Sequence, residues 1–170
     1  AMMTTSPLVA DFIMNAGNPD VLYSGAGIEC DLVGPTMAPF YRSDDGGQNW
    51  TPLPTGMNLR PLLTNPADPE MVFAADCAML YLSVDGGRTW SAKPDNAVAR
   101  LWDHFVVIDM SAAALVGDPQ PEIPSWDQLF ALGVDAATRG AVAFTGELGD
   151  SWVDITDVAQ PLRAPVVVLA

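Results

Sequence analysis

The apolar residues of this chain fall in short runs rich in β-branched and aromatic side chains, and Gly, Pro, Asn or Asp bounds each run. That punctuation is the mark of strands joined by turns. It predicts three successive units of four strands. The first unit has Leu8 to Asn15, Val21 to Gly27, Pro39 to Ser43 and Trp50 to Leu53. The second has Leu59 to Asn65, Met71 to Ala75, Met79 to Ser83 and Thr89 to Ala92. The third has Arg100 to Met110, Leu129 to Val134, Ala141 to Thr145 and Ser151 to Ile155. Arg163 to Leu169 (RAPVVVL) then predicts the first strand of a fourth unit. No segment has the period of a long amphipathic helix, and Asp135 to Arg139 offers one turn at most. One long loop, Ser111 to Asp127, is expected inside the third unit, carrying Pro119, Pro121 and Pro124. Loops of that length in compact domains are often functional or mobile.

A turn recurs between the third and fourth strands. Ser43 to Trp50 reads SDDGGQNW, Ser83 to Trp90 reads SVDGGRTW, and Thr145 to Trp152 reads TGELGDSW. The common form is Ser/Thr-x-Asp/Glu-x-Gly-x-x-Trp. Its hydroxyl (Ser43, Ser83, Thr145) and carboxylate (Asp45, Asp85, Glu147) suit backbone amides inside a tight hairpin. Its glycine (Gly47, Gly87, Gly149) supplies a positive φ. Its tryptophan (Trp50, Trp90, Trp152) can cover the turn with apolar surface. Copies at matching positions in successive units indicate a repeat architecture.

These turns are similar to the Asp box, and the chain resembles the Asp-box (BNR-repeat) β-propellers, a group that includes sialidases, sortilin-type domains and photosystem II assembly-factor propellers. The flanks agree: NPDVLYSGAG (Asn18 to Gly27) with APFYRSDDGGQNWTPLP (Ala38 to Pro54) parallels DPEMVFAADC (Asp68 to Cys77) with MLYLSVDGGRTWSAKP (Met79 to Pro94). The resemblance implies an all-β fold of propeller blades, each of four antiparallel strands with an Asp-box turn. The blades would run 8–54, 57–94 and 99–157, with strand 162–170 opening another. Propellers close with about four to eight blades. Three and a strand read first as part of a longer propeller, and second as half of a ring that a homo-oligomer completes.

Charge narrows the partners. Seven Lys and Arg against 21 Asp and Glu leave a net charge of −14, which repels nucleic acid and anionic membranes. No apolar run has the length of a membrane span. Cys30 and Cys77 follow the second strands of their units, and a disulfide and a pair of free thiols both stay open. The resemblance implies an extracytoplasmic site, since Asp-box propellers are often exported. The chain begins without a basic, apolar, cleavable stretch.

Arginine is the second periodic signal. Three of the six arginines, Arg60, Arg100 and Arg163, follow the box tryptophans by ten, ten and eleven residues. In four-stranded blades that position starts the next innermost strand, so the three guanidiniums are expected to converge at the channel mouth opposite the Asp boxes. Such a set suits a carboxylate or phosphate group; the alternative is that each arginine ties blades by pairing with a residue such as Asp103 or Asp157. The loop from Gly27 to Met37 brings Glu29 and Asp31 to the same face.

The resemblance supports two uses of such arginines. Sialidases hold the substrate carboxylate with an arginine triad, but need a tyrosine nucleophile and an upstream Phe/Tyr-Arg-Ile-Pro motif. Tyr41 and Tyr81 read as blade core, and Arg163-Ala164-Pro165 comes after the boxes. Assembly-factor propellers are similar in arginine spacing and bind a protein partner without catalysis. The expectation is a non-catalytic module binding an acidic group of a protein or carbohydrate, with a sialidase-like or other glycoside hydrolase as the alternative. Neither a cofactor nor a metal is expected: His104 is the single histidine, GELGD (Gly146 to Asp150) lacks the Lys-Ser/Thr of a phosphate loop, and backbone amides satisfy the box carboxylates.

Overall fold

A computed structural model describes residues 11–25, 39–76, 79–93, 105–113, 125–135, 140–146 and 148–155. Twelve strands among them form three four-stranded antiparallel sheets, each a simple meander. Sheet 1 holds β1 (Asp11–Met14), β2 (Leu22–Gly25), β3 (Phe40–Ser43) and β4 (Thr51–Leu53). Sheet 2 holds β5 (Arg60–Asn65), β6 (Asp68–Ala75), β7 (Leu80–Ser83) and β8 (Ser91–Lys93). Sheet 3 holds β9 (Phe105–Ala113), β10 (Ser125–Asp135), β11 (Gly140–Thr145) and β12 (Val153–Asp154). Sheets 1 and 2 lie in one compact unit, residues 1–93, and sheet 3 lies in a second, residues 94–170.

In the first unit, strand alternation gives each sheet two apolar faces. Tyr23, Phe40 and Leu53 of sheet 1 join Val72 and Ala74 of sheet 2, and Leu59 just before β5, in one buried cluster. Phe40 meets the indole of Trp90 edge to face, with centroids 5.2 Å apart. Burial of each large apolar side chain here contributes roughly 1.5–3 kcal/mol. The two sheets come so close that the Cα of Gly25 abuts the carbonyl oxygen of Leu59.

A polar clamp crosses the same interface. Asn15, fully buried, donates from Nδ2 to the carbonyl of Asn65 at 2.6 Å. Its Oδ1 accepts from the amides of Gly17 and Asn18, closing the β1–β2 turn. Asn65 holds its own turn through the amide of Ala67. Asn15→Ala is expected to cost about 2 kcal/mol, because a buried carbonyl and two amides lose their partner; a urea unfolding curve checks it.

In the second unit, Leu129, Ala131 and Ala143 are fully buried, and Phe130 and Phe144 pair at 5.2 Å. Two details differ from the sequence expectation. The long loop is shorter at both ends: residues 111–113 extend β9 and 125–127 extend β10, where Ser125 pairs with Ala113 across a register shift. A strand continues while a partner ladder is available, and none of these six residues is a proline. Asp135, read as part of a helical turn, ends β10 instead. Arg139, Cys30, Cys77, His104 and the strand expected at 163–169 lie outside the described residues.

Candidate functional site

Three hairpins join the third strand of each sheet to the fourth, and in each a hydroxyl accepts from a glycine amide four residues on. In the first, Ser43 Oγ accepts from the amides of Gly47 (2.9 Å) and Asp45 (3.3 Å) and donates to Asp45 Oδ1 (2.8 Å). Asp45 then takes the Asn49 amide on Oδ1 and the Asn49 side chain on Oδ2. Asn49, first through its amide, holds the Asp45 carboxyl below its ordinary value. The second hairpin repeats this with Ser83, Gly87 and Asp85, and Thr89 takes the place of Asn49. In the third, Thr145 Oγ1 accepts from the amide of Gly149 at 3.2 Å. Trp90 and Trp152 each donate from Nε1 to the carbonyl three residues back, at 3.1 Å. Glu147 lies outside the described residues.

Each hairpin has two successive residues at positive φ: Gly46 and Gly47, Gly86 and Gly87, Leu148 and Gly149. The sequence motif singles out the second of each pair. The first is legible as Gly-Gly in two hairpins and hidden in the third, where leucine adopts the conformation at φ 52°.

The second hairpin carries a pH signature. A hydrogen bond from the Thr89 hydroxyl leads a set of donors that outweighs burial and holds the Asp85 carboxyl down at about 2. A carboxyl depressed in the folded state stabilises it fully above the unfolded value, about 3.9. That stability is lost as the pH falls through about 2. Asp85→Asn is therefore expected to be less stable than wild type at neutral pH, with the gap closing as pH falls from about 4 to about 2. Urea midpoints across that range check it.

The charged cluster of the first unit centres on Arg42, whose side chain is 8% exposed. Its Nη1 donates to Tyr23 Oη at 3.1 Å, its Nη2 to Glu70 Oε1 at 2.5 Å and its Nε to Asp44 Oδ1 at 2.8 Å. The guanidinium also lies over the Tyr23 ring, 5.5 Å from its centroid. Tyr23 passes its own proton to the Pro69 carbonyl at 2.7 Å, and burial pushes its phenol up to about 12. Arg88 Nη1 meets Glu70 Oε2 at 3.1 Å. The hydrogen bond from Arg42 holds the Glu70 carboxyl low. Two cations and two anions cancel, so the cluster fastens sheet 1 to sheet 2 and offers no net charge to a ligand. Sequence spacing missed it. The available signal was one charged residue, Arg42, at the repeat position filled by Leu82 and Phe144.

Arg60 is half-buried at the first position of β5, opposite Ala75. Ala75 pairs with Leu80, whereas the hairpin leaves β7 at Ser83. Arg60 therefore stands at the end of sheet 2 away from its Asp box. Tyr81 donates to Asp76 Oδ2 at 3.0 Å beside the β6–β7 connection, and burial, then Asp76, pushes the Tyr81 phenol up to about 12. Arg100, Arg163, Glu29 and Asp31 lie outside the described residues. Among the described residues there is no His/Cys/Asp/Glu group that could hold a metal, and no helix is long and apolar enough to cross a membrane.

The family model of the BNR/Asp-box repeat matches residues 41–52 and 81–92. No curated protein sequence matches the chain. Among solved structures, it is similar to an ancestral GH74 enzyme at 16% identity and a TM-score of 0.61, covering 87% of this chain and 18% of that one. It is also similar to YCF48 bound to D1 peptide, at 15% identity and a TM-score of 0.54, covering 91% of this chain and 42% of that one. Meandering four-stranded sheets with hydroxyl-anchored, tryptophan-covered hairpins define an Asp-box repeat protein of β-propeller fold. The chain carries BNR/Asp-box repeats on a β-propeller fold, and spans less than half the length of the two proteins just described.

Proposed function

We propose that this chain is part of a non-catalytic propeller that binds an anionic group of a protein or glycan partner through Arg60, Arg100 and Arg163, with Glu29 and Asp31 beside them. The observation that carries the reading is the place of Arg60, half-buried at the head of β5 and away from the Asp-box hairpin. Arg100 and Arg163 share its spacing from a box tryptophan, so blades over 57–94 and 99–157 and a strand at 162–170 would present them alike. The likeness to a propeller bound to a peptide supports a protein partner. A bidentate guanidinium recognises a carboxylate in that setting.

The test is alanine replacement of the three arginines, singly and together, read by fluorescence anisotropy with acidic and charge-neutralised peptides. Selective binding of the acidic peptide that is lost in the variants, with unchanged unfolding midpoints, is the expected result. Lower midpoints without any peptide binding would make the arginines internal ties. A second reading, a glycoside hydrolase, draws on the likeness to a GH74 enzyme. Turnover on a panel of fluorogenic glycosides would establish it and displace the binding module.

A further inference from the structure

The described asparagines are spent on the turns of the first unit, with one exception. Asn15 Oδ1 accepts from the amides of Gly17 and Asn18, Asn18 Oδ1 from the amide of Asp20, and Asn65 Oδ1 from the amide of Ala67. Asn49 gives its side-chain amide to Asp45. Asn58 is the exception. Its Oδ1 is shielded from water and has no donor among the described residues. Buried acceptors are rarely left unmade, so such an oxygen calls for a partner. Asn58 stands two residues before Arg60, in the connection 54–59 from β4 to β5. β4 runs away from its Asp box, pairing Thr51 with Arg42 and then Leu53 with Phe40, so the connection lies at the end that leads to Arg60. The rest of the connection is closed on itself. The Thr55 amide donates to the Leu53 carbonyl, and the Thr55 hydroxyl donates to the Met57 carbonyl and accepts from the Met57 amide. Met57 packs against the buried cluster.

We infer that Asn58 is a specificity residue of the Arg60 site: its Oδ1 accepts the main-chain N–H of an acidic residue in a bound peptide. This rests on the proposed binding role of Arg60 and narrows its ligand to protein. A guanidinium only donates and suits a carboxylate, whereas the Asn58 oxygen only accepts and needs an N–H. An acidic residue of a peptide carries both groups within one residue. Phosphate and sulfate esters present acceptors alone. A carboxamide also matches a peptide group in two bonds, Nδ2 donating to its carbonyl and Oδ1 accepting from its N–H. Sugar rings carry no such pair. Asn58 as a whole is only half-buried, and the Cβ–Cγ torsion of asparagine is broad, so Oδ1 turns outward to meet the N–H.

Asn58→Ala, with Asn58→Leu as a second variant of closer volume, tests this by two readouts. Urea midpoints of at least one variant should match or exceed wild type, because no donor in the protein loses its acceptor. Fluorescence anisotropy then compares a labelled acidic peptide, its glutamine version, and the acidic peptide N-methylated at the acidic residue. Wild type should bind the acidic peptide roughly fivefold tighter than the N-methylated one, the worth of one neutral hydrogen bond. Both variants should bind these two peptides equally while still preferring acid to glutamine, since the arginines are untouched. Lowered midpoints in both variants would mean that Oδ1 serves the fold, and would overturn the inference. Equal binding of the acidic and N-methylated peptides by wild type would overturn it and leave the arginine reading standing. No preference for acid over glutamine in wild type would overturn both. Binding of a sulfated or uronic oligosaccharide in place of the peptides would assign the site to a glycan and overturn the inference alone.

Discussion

Gly25→Ala is expected to lower the unfolding free energy by about 3 kcal/mol, at the upper end of what forced overpacking costs. A Cβ there would be driven into the Leu59 carbonyl oxygen, with Phe40 Cδ2 2.9 Å away and the Leu59 carbonyl carbon 3.1 Å away. The obstacle is backbone, and that backbone leads directly into β5. Relief would require separating sheet 1 from sheet 2, which uncovers Tyr23, Phe40 and Val72. Gly146→Ala is the control, since nothing lies within 4 Å of its would-be Cβ. It should stay within about 0.5 kcal/mol of wild type. Equal urea midpoints for the two variants would refute the close contact.

Arg42→Ala is expected to cost about 2 kcal/mol, and Arg42→Leu less than half of that. Removing one member of a buried ion pair costs about 3–5 kcal/mol when the remaining charge is stranded. Here the side chains of Glu70 and Asp44 are 37% and 63% exposed, so water recovers part of the loss. Alanine also strips the packing from the Tyr23 ring. Leucine restores most of the volume, and leucine is what sheet 2 carries at this position, as Leu82, 6% exposed. Urea curves for both variants, with Glu70→Gln and the double variants, give the coupling between Arg42 and Glu70 directly. If leucine is as damaging as alanine, the ion pairs rather than the packing hold the two sheets together.

Much of the architecture is legible in the sequence, because its signals are local. Alternating apolar positions and Gly/Pro/Asn/Asp punctuation place the strands within a few residues. The hydroxyl, carboxylate, glycine and tryptophan of each hairpin act within eight residues of chain, so the spacing contains the geometry. Trp50 and Trp90 nonetheless precede β4 and β8 instead of opening them. In the second hairpin the indole is engaged by the Gly87 carbonyl and the ring of Phe40, contacts that a strand pattern does not carry.

What the sequence determined by itself was the repeat: all-β, four strands to a unit, an Asp box between the third and fourth, and arginines ten or eleven residues behind the box tryptophans. What only the tertiary structure decided was how neighbouring sheets are fastened. Asn15 reaches Asn65 across 50 residues, Arg42 reaches Glu70 across 28, and Gly25 touches Leu59 across a sheet boundary. Such pairs have no period, since each depends on two sheets stacking at one distance. Exposure is decided at the same level. Phe12 and Pro61 occupy matching places in the pattern, and the neighbouring sheet buries Pro61 while Phe12 stays exposed.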